Sequence, residues 1–219
     1  MKIGCIVIFS NGYSNRQKYV SNLEKFFANT NVIFKVINGI ITDKPMYDAR
    51  FHEKKQLSKG QIGCALAHFN AVKLAKKLDL DYVFIFEDDV EIIAENYDVV
   101  QQWLDNLPKN DICLITNVGS FEGVGHDGRI HSNTLINDSV YMTCPFGAQV
   151  YYISKPIINL FYETQLNMII KHNKIHISDG LPIYCEKENG EFLDIITPQD
   201  KDRFFKHSDE VSIIGSKIL

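Results

Sequence analysis

Tyr82-Val83-Phe84-Ile85-Phe86-Glu87-Asp88-Asp89-Val90 decides how the rest of this sequence is read. Five consecutive aromatic and β-branched residues without polar alternation predict a strand buried on both faces, and in an open α/β sheet ligands bind beyond the carboxyl ends of the strands. The run then stops at three adjacent carboxylates. Their mutual repulsion beside a buried strand costs stability unless a cation or hydrogen-bond donors offset it. A divalent metal is the simplest such partner, and oxygen-only ligands suit Mg²⁺ or Mn²⁺, hard ions that keep waters and accept phosphate oxygens. A solvated turn before Glu91 is the plainer alternative for Asp88 and Asp89. It is the commoner one after an arbitrary strand, and only the neighbouring motifs tip the balance.

With 219 residues, 45% of them hydrophobic and 23% charged, the chain is expected to form one α/β domain over residues 1–219. A net charge of −4 argues against broad nucleic-acid binding, which draws on clustered Lys and Arg. Cys5, Cys64, Cys113, Cys144 and Cys185 are odd in number and widely spaced, and they read as small buried hydrophobes in a reducing compartment. The apolar run at the amino terminus, Ile3 to Phe9, is too short for a signal-peptide core or a bilayer span, so a cytoplasmic protein is expected.

Going outward from the acidic run, Ile3 to Phe9 is a buried first strand, and Ser14 with Gln17 has capping-box spacing ahead of a helix carrying Tyr19, Val20, Leu23, Phe26 and Phe27. Val32 to Ile37, closed by Asn38-Gly39, completes a β-α-β unit. Ile40 to Leu57 has no period and reads as a long connection over the active edge. Ser58 and Gln61 repeat the capping box before a helix with Ile62, Leu66, Phe69, Val72, Ala75 and Leu78 on one face. After the acids come a helix from Tyr97 to Leu107 and a strand from Ile112 to Ile115. Gly123, Gly125 and Gly128 satisfy Gly-x-Gly-x-x-Gly but neither follow a strand nor open an apolar helix, so a loop or hairpin is expected instead. Strands are expected at Val140 to Thr143 and Ala148 to Ser154, antiparallel to one another, then a helix from Ser154-Pro156, a further helix ending at Gly190, and a last strand at Phe192 to Ile196 before a charged tail.

Leu57-Ser58-Lys59-Gly60-Gln61-Ile62-Gly63-Cys64-Ala65-Leu66-Ala67-His68 and Phe86-Glu87-Asp88-Asp89-Val90 together resemble the two signature stretches of glycosyltransferase family 25. Weaker likenesses extend the match: Asn15-Arg16 after the first strand, Val36-Ile37-Asn38-Gly39, Tyr151-Tyr152-Ile153-Ser154, and Asp179 at the family's later Asp. Gln61 and Ala67 depart from the family's usual Glu and Ser. The resemblance implies a GT-A-like nucleotide-sugar fold, a mostly parallel sheet flanked by helices with a small antiparallel portion in the second half. It implies an inverting, metal-dependent enzyme that moves galactose or glucose from a UDP-sugar to a saccharide acceptor in lipooligosaccharide or lipopolysaccharide synthesis.

On that reading Asp89 and Glu87 bind Mn²⁺ or Mg²⁺, and Glu87, Asp88, Arg16 and His68 serve the donor. Asp179 is the candidate general base, with a helix-start acid favoured by the dipole as the equal alternative. His68, four residues after Cys64, more often means packing than metal, and Arg16 has an exposed helix arginine as its alternative. His172, His176 and His207 are further possible ligands among which the sequence does not choose. The second function class is a non-catalytic relative that binds sugar or protein, motivated by Gln61 and Ala67; phosphoryl transfer is disfavoured by the lack of a Gly-x-x-x-x-Gly-Lys loop. Lys54-Lys55 and Lys171-His172-Asn173-Lys174 suggest peripheral contact with an inner-membrane surface and a lipid-linked acceptor, against the plainer reading of solvated surface.

Overall fold

The computed structural model describes residues 1–10, 14–107, 112–116, 119–120, 123–124, 130–131, 133–136, 139–142, 145–146, 149–177, 193, 195–200 and 203–208. β1 (Ile3–Phe9) leads through a 3₁₀ turn (Ser14–Arg16) into α1 (Gln17–Phe27), and β2 (Ile33–Asn38) completes the expected β-α-β unit. β3 (Tyr47–Asp48) precedes α2 (Lys59–Lys77), which feeds β4 (Tyr82–Glu87). Then come β5 (Val90–Ile92), α3 (Tyr97–Asn106) and β6 (Ile112–Thr116). Short strands β7 (Gly119–Ser120), β8 (Gly123–Val124), β9 (Ile130–His131), β10 (Asn133–Ile136), β11 (Ser139–Met142) and β12 (Pro145–Phe146) lead to β13 (Val150–Ser154). α4 (Lys155–Asn167) runs into a π-helical turn (Met168–His172), and β14 (Lys174–Ile175), β15 (Ile195–Pro198) and β16 (Phe205–His207) follow.

The main sheet has the order β10-β11-β15-β6-β13-β4-β1-β2. β2, β1 and β4 are parallel neighbours, β13 runs against both β4 and β6, β15 is parallel to β6, and β11 runs against β15 and β10. Six strands therefore run one way, with the reversals at β13 and β11 in the second half. This is the α/β architecture the sequence predicts.

Strand pleating divides the core in two. Val83 and Ile85 join Ile6, Ile8, Tyr151 and Ile153 in a cluster with Ala67, Ala71 and Ala75 of α2 and Ile157, Ile158 and Phe161 of α4. Phe84 and Phe86 join Cys5, Val7, Val150 and Tyr152 on the other face, against Val20, Leu23 and Phe27 of α1 and Val100 and Trp103 of α3. Each fully buried Phe or Ile contributes roughly 1.5–3 kcal/mol, which explains why the acidic run follows an unbroken apolar strand.

α2 starts as its sequence predicts. The Gln61 N–H donates to Ser58 Oγ (3.3 Å) and the Ser58 N–H to Gln61 Oε1 (3.0 Å), so the capping box is complete. Its small residues bring the helix close: a Cβ at Gly63 would run into the Ile40 carbonyl.

Other expectations need correcting. The helix start read at Ser14 falls later: α1 begins at Gln17, with Arg16 at its N-cap after the 3₁₀ turn and no side-chain cap there. Tightening the chain there turns Arg16 inward, to 6% exposure. The 40–57 connection contains β3, whereas the glycine-containing stretch holds the expected hairpin, β8 pairing antiparallel with β9, and runs on into β10. The strands β11 and β13 are not neighbours: each pairs elsewhere in the sheet. The strand expected at Phe192 to Ile196 is Ile195–Pro198 and is not the last: the charged tail hides Phe204 and Phe205, both fully buried, and its β16 pairs antiparallel to β5. Two aromatics between Lys and Arg give no periodic signal, so only packing reveals them. Cys5 is buried, but Cys64 is exposed rather than a core residue. The expected helix end at Gly190 lies outside the described residues.

Candidate active site

The pleat that divides the core also divides the acids. β4 ends at Glu87 beside β1, with Ile8 across from Glu87 in the parallel register. Glu87 continues the side of Val83 and Ile85, toward α2, and Asp88 turns to the side of Phe84 and Phe86, toward α1.

On the α1 side, the Ser10 backbone N–H, just past β1, donates to Asp88 Oδ2 at 2.6 Å. Arg16 Nη1 donates to Asp88 Oδ1 at 2.7 Å, and Arg16 Nη2 lies 3.1 Å from Asp89 Oδ2. All three side chains are buried, Asp88 and Asp89 at 2% and 3% exposure. A guanidinium is always charged and presents its donors as a rigid fork, so one Arg can serve two carboxylates. The Ser208 N–H donates to the Asp89 carbonyl at 2.7 Å, so the residue after β16 ties down the same turn.

On the α2 side, His68 Nε2 lies 3.2 Å from Glu87 Oε1 and His68 Nδ1 lies 2.9 Å from the Tyr151 hydroxyl. Cys64, one turn earlier on α2, completes a set of potential ligand atoms with His68 and Glu87, all within 4.8 Å of one another. Burial works against a charged imidazole here, but Tyr151, Cys64 and Glu87 outweigh it and hold the His68 pKa well above the usual histidine value. Burial raises the Tyr151 pKa, so its hydroxyl stays protonated. A charged His68 donates from both ring nitrogens, to Glu87 and to Tyr151.

Three carboxylates set against one guanidinium and one imidazolium leave a formal remainder of −1. Oxygen donors with residual negative charge suit a hard divalent cation, and a carboxylate already accepting one hydrogen bond keeps lone pairs for another partner. Both Asp88 oxygens are engaged by the chain itself, which makes Glu87 and Asp89 the fitting ligands. The Cys64-His68-Glu87 set is of softer character, suited to zinc rather than to Mg²⁺.

The structure thus gathers Arg16, His68, Glu87, Asp88 and Asp89 at one strand end. Asp179 lies outside the described residues. His172 is exposed on the π-helical turn, and His176 is buried against Gln165, whose side chain bonds its backbone N–H and carbonyl at 3.0 and 2.8 Å. His207 pairs across from Val90, one residue past the acids. Three participants escape sequence reasoning: the Ser10 amide, the Tyr151 hydroxyl and the Ser208 amide. Tyr151 had a signal, since it begins the Tyr-Tyr-Ile-Ser stretch, but two backbone amides leave none.

The sequence model of glycosyltransferase family 25, described as an LPS biosynthesis protein family, matches residues 10–123. A Haemophilus influenzae protein with a provisional glycosyltransferase name is 31% identical over 86 residues, covering 36% of this chain and 30% of that protein. The lipooligosaccharide biosynthesis protein lic2B of Haemophilus influenzae is 25% identical over 131 residues, covering 55% of this chain and 47% of that protein. The chain therefore spans less than half the length of these relatives. Among solved structures, a glycosyltransferase involved in glycosylation of the PBCV-1 major capsid covers 97% of this chain and 95% of its own, at 12% identity and TM-score 0.49. The galactosyltransferase LgtC with donor and acceptor sugar analogues covers 89% and 72%, at 14% identity and TM-score 0.48. At scores below 0.5 these two likenesses carry no weight. The family match is different in kind, because it takes in both signature stretches and just over half of the residues: the chain belongs to glycosyltransferase family 25.

Proposed function

We propose that this chain transfers a hexose, galactose or glucose, from a UDP-sugar to a saccharide acceptor with inversion, in lipooligosaccharide synthesis. The observation that carries the reading is the acid run at the end of β4, held by Arg16 and His68 with one negative charge to spare. Family membership and the relative named for lipooligosaccharide biosynthesis support the substrate class.

Glu87 and Asp89 would hold Mn²⁺ or Mg²⁺, which when bound stabilises the charge developing on the departing nucleoside diphosphate. The chain's own residues prepare that site. Arg16 and the Ser10 amide fix Asp88 and bring Asp89 into line; His68, braced by Tyr151, orients Glu87. Asp179 is assigned the base that takes the acceptor hydroxyl proton during attack, on the strength of the family motif.

The test is Asp89→Asn, nearly isosteric, assayed for UDP release from UDP-galactose and UDP-glucose with Mn²⁺ and a saccharide acceptor. Turnover is expected to fall by about 10²-fold or more, and Mn²⁺-dependent UDP binding, followed by calorimetry, to weaken while circular dichroism stays unchanged. Turnover retained to within about twofold overturns the proposal.

One observation favours a second reading, a non-catalytic relative. The Arg16, Asp88 and Asp89 cluster already satisfies much of its charge without any metal, as a purely structural ion network would. Absence of any heat on adding UDP with Mn²⁺ to the wild-type chain would select it.

A further inference from the structure

We infer that the paired β3–β14 unit and its flanking loops form a docking surface for an anionic lipid bilayer beside the candidate active site. The inference stands apart from the proposed reaction, because it concerns a surface that uses none of the acids.

Lys54-Lys55 and Lys171-His172-Asn173-Lys174 lie far apart in the chain, and parallel pairing of β3 with β14 makes them one patch. Tyr47 lies across from Lys174 and Asp48 from Ile175. The Tyr47 N–H donates to the Asn173 carbonyl at 3.2 Å and the Ala49 N–H to the Ile175 carbonyl at 3.1 Å. The Lys174 ammonium caps the Phe51 and His52 carbonyls at 2.6 and 3.2 Å. An Asp48 N–H bond to the Lys55 carbonyl (2.8 Å) folds the intervening loop back onto the same unit. The Lys54 and Lys55 ammonium groups lie 5.7 and 4.4 Å from the centres of the Tyr47 and Phe51 rings, within cation–π range, and both lysines are exposed.

Charge sets this surface apart. Residues 43–59 and 168–177 contain seven Lys and Arg against three Asp and Glu, a net of +4 within a chain of net −4. Two of the three acids are neutralised inside the unit, Asp43 by Lys59 and Asp48 by Arg50 at 2.6 Å. His176 adds nothing at neutral pH: burial pushes its pKa down to about 4.

Apolar side chains project from the same region. Ile41 is fully exposed, Ile170 is 71% exposed and Phe51 41%, three of the eight large exposed hydrophobic residues among those described. Lysines flanking exposed Ile and Phe is the composition of an interfacial surface, where basic heads meet anionic headgroups and apolar groups enter the acyl boundary. A nucleic-acid partner would have use for the lysines but not for Ile41 and Ile170.

The unit is seated on its own small core, in which Met46, Leu57 and Ile175 pack against Ile62 and Ala65 of α2. These two residues lie one to two turns before His68 on the same helix. A bilayer on this patch would therefore lie on the α2 side of the sheet, where the same helix presents His68 to Glu87.

The test is sedimentation of the full chain with vesicles of phosphatidylcholine alone and of phosphatidylcholine mixed with phosphatidylglycerol. Binding is expected only to the mixed vesicles, and release is expected as salt shortens the Debye length from about 10 Å at 0.1 M to about 3 Å at 1 M. Lys54→Gln with Lys55→Gln should weaken partitioning by about tenfold or more, and Ile170→Ser should weaken it less. A control pair on α1 and β2, Lys25→Gln with Lys35→Gln, should leave it unchanged, as should Asp89→Asn, so that loss of turnover and loss of docking are read separately. Equal binding to neutral vesicles, an unaffected Lys54/Lys55 variant of unchanged circular dichroism, or binding to a short DNA duplex in place of the vesicles would each overturn the inference.

Discussion

The two faces of the central sheet hold one acidic run by different chemistry. On the α1 face, Asp88 and Asp89 are buried against a guanidinium whose charge is permanent. On the α2 face, Glu87 keeps a side chain 32% exposed and meets an imidazole whose charge depends on pH. The first arrangement is a fixed brace for the turn after β4. The second is adjustable, and it leaves Glu87 the acid with most access to solvent and substrate. Neighbouring carboxylates in one strand can therefore take different duties, because the pleat hands them to different helices.

Removing Arg16 should break this contrast most severely. Arg16→Ala strands two buried carboxylates, and loss of one partner of a buried ion pair costs about 3–5 kcal/mol. Urea unfolding should show that loss, and a cost under about 1 kcal/mol would mean that the acids find other partners.

His68→Gln should cost less, about 1–2 kcal/mol, because Glu87 is partly solvated. Its pH dependence sharpens the comparison. The folded-state pKa of His68 is raised, so its stabilisation is complete below the unfolded-state value of about 6.5 and disappears as pH rises through the raised folded value. Unfolding measured from pH 6 to pH 9 should find the gap between wild type and His68→Gln closing, while the gap to Arg16→Ala stays level. A flat His68→Gln gap would mean that the imidazole is neutral in the folded protein.

The smallest effect is expected at the start of α2. Ser58→Ala removes one arm of the capping box and should cost about 1 kcal/mol, lowering the thermal midpoint without altering the pH dependence of the His68 pair.

Much of the fold could be read from local pattern. The buried runs Ile3–Phe9 and Tyr82–Phe86 and the Ser58–Gln61 cap became strands and a helix start as expected, because burial on both faces and capping are properties of consecutive residues. β5, β10 and β16 were missed, since strands of three or four residues exist only through their partners. The site divides the same way. Arg16, His68, Glu87, Asp88 and Asp89 were singled out from motifs, whereas Tyr151 and the Ser10 and Ser208 amides joined them only once strands from elsewhere in the chain came alongside.

By itself the sequence determined that a buried strand ends in three acids after a capped helix bearing Cys64 and His68, since composition and spacing are local facts. Tertiary structure alone decided that Arg16 would neutralise Asp88 and Asp89, that His68 would go to Glu87, and that two distant lysine clusters would share one surface. Electrostatic partnership depends on distance and burial, and neither is set until the sheet brings its strands together.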